Sequence, residues 1–228
     1  MDSMNLRVSE IFYSIQGEGP TIGYPAVFLR LYGCNLRCVW CDSKYAWQKG
    51  EMQDDLAISE VVGAMTAKDM CDCSRLVVTG GEPLLQSDAL SELAQALIGW
   101  DCELETNGTI FAPATLVDRG WQFNISPKLA SSGNALTQRY KPKVLRHFGY
   151  IRNTWFKFTV ATQEDLDEVI ALTQACNIHD DRVILMPEGT DIDTLIERGA
   201  WLAVVCKLHG WRFSPRLQIE LWGNRRGV

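Results

Sequence analysis

The chain has 228 residues, 46% hydrophobic and 22% charged, a balance that excludes a wholly disordered chain or a fibrous repeat and leaves ample material for a core. Its 22 Lys and Arg stand against 28 Asp and Glu, a formal charge of −6, which argues against a nucleic-acid binder with its basic footprint. No run approaches the roughly 20 apolar residues of a membrane helix, and the polar start lacks a signal-peptide core, so the expectation is a cytoplasmic protein with no membrane partner.

Short β-rich runs alternate with helical patterns. Residues 26–31 read as a strand that stops just before Cys34, and residues 75–79 as a second that ends in Gly80-Gly81. A helix is expected over 88–98, where Leu90, Leu93, Ala94, Leu97 and Ile98 form a stripe of period 3.6. Further strands are expected at 102–106, 122–126, 155–160, 182–186 and 216–221. The basic stretch 141–152 is interrupted by apolar residues and reads as a solvated helix face. Thr162 with Asp165 resembles a capping box, opening a helix with Leu166, Val169 and Ile170 on one face. Asp191 suits the N-cap of a helix carrying Ile192, Leu195 and Ile196. There is no repeat, low-complexity tract or linker, so residues 1–228 read as one α/β unit with a mostly parallel sheet. Such folds place their chemistry at the carboxyl ends of the strands.

The strongest chemical signal is Cys34-x-x-x-Cys38-x-x-Cys41, three of the eight cysteines within eight residues. A structural zinc site takes four ligands. A four-iron cluster takes one thiolate per iron, so three cysteines leave one iron open. The alternative is a zinc-binding interaction module in which Cys71 or Cys73 supplies the fourth thiol. Cys102, on a strand, and Cys206, ending an apolar helical stretch, suit core packing. His147, His179 and His209 show no metal-like spacing.

This cysteine spacing after a first strand resembles the radical S-adenosylmethionine (SAM) superfamily. Thr79-Gly80-Gly81-Glu82-Pro83 stands where that superfamily has its glycine-rich motif. Three more segments narrow the resemblance to the 7-carboxy-7-deazaguanine synthases, essentially end to end. They are Ile15-Gln16-Gly17-Glu18-Gly19-Pro20 with Gly23, Pro25 and residues 26–30, then Ile125-Ser126-Pro127-Lys128, and finally residues 221–228. The resemblance implies an incomplete β/α TIM-type barrel, usually a homodimer, that uses a [4Fe-4S] cluster, SAM, Mg²⁺ and an electron donor such as flavodoxin or ferredoxin. It implies conversion of 6-carboxy-5,6,7,8-tetrahydropterin to 7-carboxy-7-deazaguanine with loss of ammonia, in queuosine biosynthesis. A radical SAM activase that makes a glycyl radical on a partner protein shares the cysteine motif and is the competing reading.

By the same resemblance Cys34, Cys38 and Cys41 hold the cluster. Ile15, Gln16, Gly17, Glu18, Arg30, Thr79, Gln218 and Val228 face the substrate. Arg30 offers a fork for its carboxylate; Gln16 donates and accepts along a pterin edge, and Glu18 accepts from its amino group. Trp40, Cys41, Asp42, Gly81, Glu82, Glu105, Ser126, Pro127, Lys128 and Met186 attend SAM, with Glu82 acting directly or through its backbone turn. Ser43 supplies a hydroxyl to Mg²⁺ where many relatives carry Thr. Two positions depart from the pattern. Met186-Pro187 replaces a frequent Gln-Pro, and Gln218 stands where many relatives have His, which removes a proton donor near neutral pH.

Overall fold

In a computed structural model, residues 4–51, 54–67 and 73–228 are described. In chain order the elements are β1 (Asn5–Ile15), β2 (Pro25–Leu31), β3 (Asp54–Ala57), α1 (Ile58–Met65), β4 (Arg75–Gly80), α2 (Ser87–Ala96), β5 (Asp101–Thr106), α3 (Ala114–Asp118) and β6 (Gln122–Ile125). There follow α4 (Leu136–Arg139), α5 (Pro142–Tyr150), β7 (Thr154–Val160), α6 (Gln163–Cys176), β8 (Val183–Pro187), α7 (Ile192–His209), β9 (Arg212–Phe213) and α8 (Leu217–Trp222).

Among the described residues nine strands form one sheet in the order β3-β1-β2-β4-β5-β6-β7-β8-β9. β1 runs antiparallel to β2 and β3, and every pairing from β2 to β9 is parallel. β3 and β9 end the sheet without pairing to each other, so the barrel is incomplete. No described helix is long and apolar enough to cross a membrane.

Strand alternation sorts the side chains into two sets. Val27, Leu29, Leu31, Leu76, Val78, Leu104, Phe123, Phe156 and Phe158 belong to one large apolar cluster. The intervening positions Arg30, Thr79, Glu105, Asn124, Lys157 and Thr159 line an internal cavity. A barrel interior is ordinarily filled by branched apolar layers; here its upper half is polar, which marks a place for a ligand.

Six of the expected strands and the three expected helices lie within a few residues of their predicted limits. At α6, Thr162 accepts from the Asp165 N–H at 3.4 Å, while the Asp165 carboxylate reaches back to the Ala161 N–H at 2.9 Å, one residue beyond a standard box. Asp191 caps α7 through the Thr194 N–H at 2.9 Å. α5 buries Val144, Leu145 and Phe148 and turns Lys143 and Arg146 outward. The thiols of Cys102 and Cys206 are buried and donate to carbonyls.

The expected strand at 216–221 is instead the helix α8. Alternation of Leu217, Ile219 and Leu221 imitates a strand, but only Ile219 is buried. Anchoring decides the conformation: the Leu217 N–H bonds the Gly17 carbonyl at 3.0 Å, and Arg216 is drawn into a buried ion-pair network.

Candidate active site

A cavity of about 440 Å³ opens at the carboxyl ends of the parallel strands. Of the residues singled out from sequence, all but Glu82 and Pro127 line it. β1 and the turn after it bring Ile15–Glu18, β2 brings Arg30, and the loop after β2 brings the cysteines with Trp40, Asp42 and Ser43. Thr79, Gly81, Glu105, Ser126, Lys128 and Met186 arrive from successive strand ends, and Gln218 and Val228 from α8 and the tail.

Each sulfur of the cysteine motif accepts an N–H. Cys34 takes the Leu36 backbone at 3.4 Å, Cys38 takes Asn134 Nδ2 at 3.2 Å, and Cys41 takes Trp47 Nε1 at 3.4 Å. The thiols of Cys73, Cys102 and Cys206 are turned the opposite way, donating to carbonyl oxygens. Donors aimed at sulfur suit thiolates that carry metal charge. Burial pushes the Cys34 thiol up to about 11 and raises Cys38 too, so metal binding must displace protons from this loop. Among the described residues no three His, Cys, Asp or Glu side chains converge on a single ion; a cubane holds its thiolates on separate irons, further apart. Cys73 sits before β4, bonded to the carbonyls of Pro25 and Arg75 at the opposite end of the sheet, and so does not complete a zinc site with the motif. Cys71 lies outside the described residues.

The loop after β4 is built against the cysteine loop. Gly81 N–H bonds the Leu31 carbonyl at 3.1 Å and Glu82 N–H bonds the Gly33 carbonyl at 2.8 Å. A Cβ on Gly81 would lie 2.1 Å from Gly33 O and 2.9 Å from Cys34 Cβ. The glycine is therefore required by the neighbouring loop. Glu82 is buried and accepts from Leu84 N, Thr106 Oγ1 and Asn107 N at 3.0, 2.7 and 2.7 Å. It shapes the turn from beneath rather than facing the cavity. Gly81→Ala should displace Cys34, costing about 1–3 kcal/mol as overpacking does. Reconstituted protein should melt lower and hold less iron per chain; wild-type values for both would show that the two loops do not abut.

The other wall is charged. Glu18 accepts from Lys157 Nζ at 2.5 Å, Arg216 Nε at 3.1 Å and Gln218 Nε2 at 2.7 Å. Burial alone would raise its pKa, but the Lys157 and Arg216 charges win and hold it well below the usual carboxylate range. Arg216 also pairs with Asp42, which burial would raise and Arg216 holds low. Lys157 lies 3.6 Å from Glu105, whose other oxygen accepts from Thr79 Oγ1 at 2.8 Å. Arg30 is held through Nε by Glu10 at 2.6 Å, between the rings of Phe12 and Tyr45. Lys128 donates to Ser126 Oγ at 2.8 Å and lies over Trp40. Ser43 Oγ donates to Asp42 Oδ1 at 2.9 Å.

Gln16 is largely spent inside the fold. Its nitrogen donates to Glu103 Oε1 at 3.0 Å and its oxygen accepts the Glu18 N–H at 3.1 Å. The Gln218 oxygen, by contrast, is buried without a partner among the described residues. A Cβ on Gly17 would fall 1.9 Å from it, so only glycine leaves it room. The Val228 carbonyl accepts from Ser14 Oγ, closing the tail over β1.

Residues 29–145 match the Radical SAM superfamily. A 7-carboxy-7-deazaguanine synthase from Pyrobaculum aerophilum is 40% identical over 228 residues, covering 97% of both chains. The chain belongs to the 7-carboxy-7-deazaguanine synthase family, within the radical SAM superfamily. A synthase from Halobacterium salinarum is 35% identical, covering 98% of this chain and 93% of its own. The fold is shared with QueE from Escherichia coli, at a TM-score of 0.73 and 24% identity over 93% of this chain and 94% of that one. It is also shared with SAM-bound SuiB from Streptococcus suis, at 0.56 and 15% identity over 81% of this chain and 48% of SuiB.

Radical SAM membership brings a [4Fe-4S] cluster and SAM, and three sulfurs that each accept an N–H fit such a cluster. Four residues that shape this synthase-family site were not legible in sequence: Lys157 and Arg216, which line the cavity, and Glu10 and Asn134, which hold the lining residues Arg30 and Cys38. Lys157 did carry a signal, a lone lysine within the apolar run Trp155–Val160. Arg216 was hidden by the false strand, and Glu10 and Asn134 lie far in sequence from their partners.

Proposed function

We propose that this protein converts 6-carboxy-5,6,7,8-tetrahydropterin to 7-carboxy-7-deazaguanine with loss of ammonia, the ring contraction that feeds 7-deazapurine (queuosine) biosynthesis, and that residues 1–228 act as one catalytic unit in the cytoplasm. The observation that carries the reading is one cavity joining three N–H-bonded cysteine sulfurs to a wall of Arg30, Glu18 and Gln218. When bound on Cys34, Cys38 and Cys41, the cluster together with SAM would supply the radical chemistry for hydrogen abstraction from the pterin. A one-electron donor such as flavodoxin or ferredoxin serves the cluster.

The chain's own residues bind and orient. With Nε fixed on Glu10, the Arg30 terminal nitrogens make no hydrogen bond among the described residues and suit the substrate carboxylate. Glu18 Oε1 already accepts two donors and Oε2 one, so one lone-pair site remains for the pterin amino group. Gln218 holds Glu18 for that contact through Nε2, while its oxygen is packed against Gly17. Ser126 and Lys128 face the polar parts of SAM. Ser43, aligned by Asp42, offers an oxygen to Mg²⁺, which takes few protein ligands and keeps substrate oxygens. Anaerobic incubation of reconstituted protein with SAM, reductant, Mg²⁺ and the pterin should give a product lighter by ammonia on mass spectrometry. Unchanged pterin beside abortive SAM cleavage would mean the substrate is another one.

We infer that a homodimer forms across α7. Ile192, Ile196, Ala200, Val204 and Leu208 form an exposed row at every fourth residue. Two antiparallel copies crossing at Ala200 set Ile196 beside the partner's Val204 and Asp193 beside the partner's Lys207, a self-complementary pairing. Asp193→Lys should weaken the dimer about tenfold in sedimentation equilibrium, and adding Lys207→Asp should restore it. A wild-type monomer, or a dimer indifferent to the single exchange, excludes this face.

A further inference from the structure

Asn134 touches the cysteine motif from 96 residues away in the chain. Its Nδ2 donates to Cys38 Sγ at 3.2 Å and to Ser132 Oγ at 3.1 Å, and its Oδ1 accepts the Arg37 N–H at 2.8 Å. That backbone N–H can only donate, so it fixes which end of the amide is oxygen and turns the nitrogen toward sulfur. The surrounding segment holds the same stretch of loop: the Val39 N–H bonds the Ser132 carbonyl at 3.0 Å. At Gly133, where φ is +76°, a Cβ would lie 2.9 Å from Val39 Cγ1. Residues 132–134 therefore grip the cysteine loop by two backbone N–H groups and present one amide dipole to one sulfur.

We propose that Asn134 is a positioning residue that aligns Cys38 and raises the reduction potential of the cluster it carries. The inference rests on the assignment of a [4Fe-4S] cluster to Cys34, Cys38 and Cys41. Reduction adds negative charge that spreads over the thiolates, and a fixed N–H dipole aimed at sulfur interacts more strongly with that reduced state. The donor is half-buried and held at its far end by Arg37, so it cannot swing away as water does.

The test is a redox titration of the reconstituted full chain without substrate, followed by electron paramagnetic resonance. Asn134→Ala removes the donor. Asn134→Asp keeps the acceptor for the Arg37 N–H but replaces the donor with a second oxygen. With a full complement of iron, the Ala variant should show a reduced-to-oxidised ratio roughly five- to tenfold lower at a fixed potential, tenfold being 59 mV for one electron. The Asp variant should fall further. Should Asp block assembly, the Ala variant alone decides. Wild-type potentials in clusters that do assemble would leave Asn134 a purely structural clasp and overturn the proposal. Complete loss of iron from both variants, in chains that circular dichroism shows folded, would overturn it equally, because a tuning amide is not needed for assembly.

Discussion

Cys38→Ala is expected to remove the cluster and lower turnover at least ~10³-fold, beyond the roughly 10–100-fold typical of losing a metal ligand's outer partner. The same holds for Cys34 and Cys41, whose sulfurs also receive N–H donors in the cavity wall. Cys102→Ala and Cys206→Ala are the internal controls. Those thiols are buried but donate to the carbonyls of Trp100 and Arg212. They should cost on the order of 1 kcal/mol of stability, as small core deletions do, with iron content unchanged. Iron and sulfide analysis, the visible spectrum and anaerobic turnover together separate the two classes. A Cys38→Ala chain that keeps its iron and its rate would sink the assignment of the motif, whatever the fate of the controls.

The expected strands were legible because each central strand alternates: Val27, Leu29 and Leu31 meet the helices while Phe28 and Arg30 face inward. Periodicity failed where a short amphipathic helix imitated period two, at Leu217–Trp222, and where β1 lies half-buried along most of its length. The cysteine motif and Gly80-Gly81 were visible because their residues are adjacent in sequence. What Gly81 does was not, because the atom that excludes a side chain there belongs to Gly33. Nor could the sequence pair Lys157 with Glu18, separated by 139 positions, or Arg216 with Asp42, separated by 174. Motifs report local backbone needs; ion pairs across a barrel mouth are set by strand order, which a single sequence states only indirectly.

The buried network around Glu18 predicts the largest effect on stability. Lys157 and Arg216 are each under 10% exposed, and Glu18 is the carboxylate they share. Glu18→Gln leaves both cations short of a counter-charge, a change that typically costs about 3–5 kcal/mol. Asp42 on Arg216, and Glu105 at 3.6 Å from Lys157, offset part of the loss, so the lower end, about 3 kcal/mol by urea unfolding near neutral pH, is expected. The sign of the pH dependence follows from the direction of the shift. Burial works against the Glu18 charge, yet Lys157 and Arg216 depress its pKa below the ordinary 4.5. The unfolded chain therefore takes up this proton first as pH falls, and stability rises with pH through that window. The contribution is complete above about 4.5 and is lost as the pH drops towards the depressed folded value. The gap between wild type and Glu18→Gln should thus be widest near neutrality and shrink once the pH passes below 4.5. A gap that stays constant or widens on acidification would mean that Glu18 does not carry the charge that holds Lys157 and Arg216 in the barrel mouth.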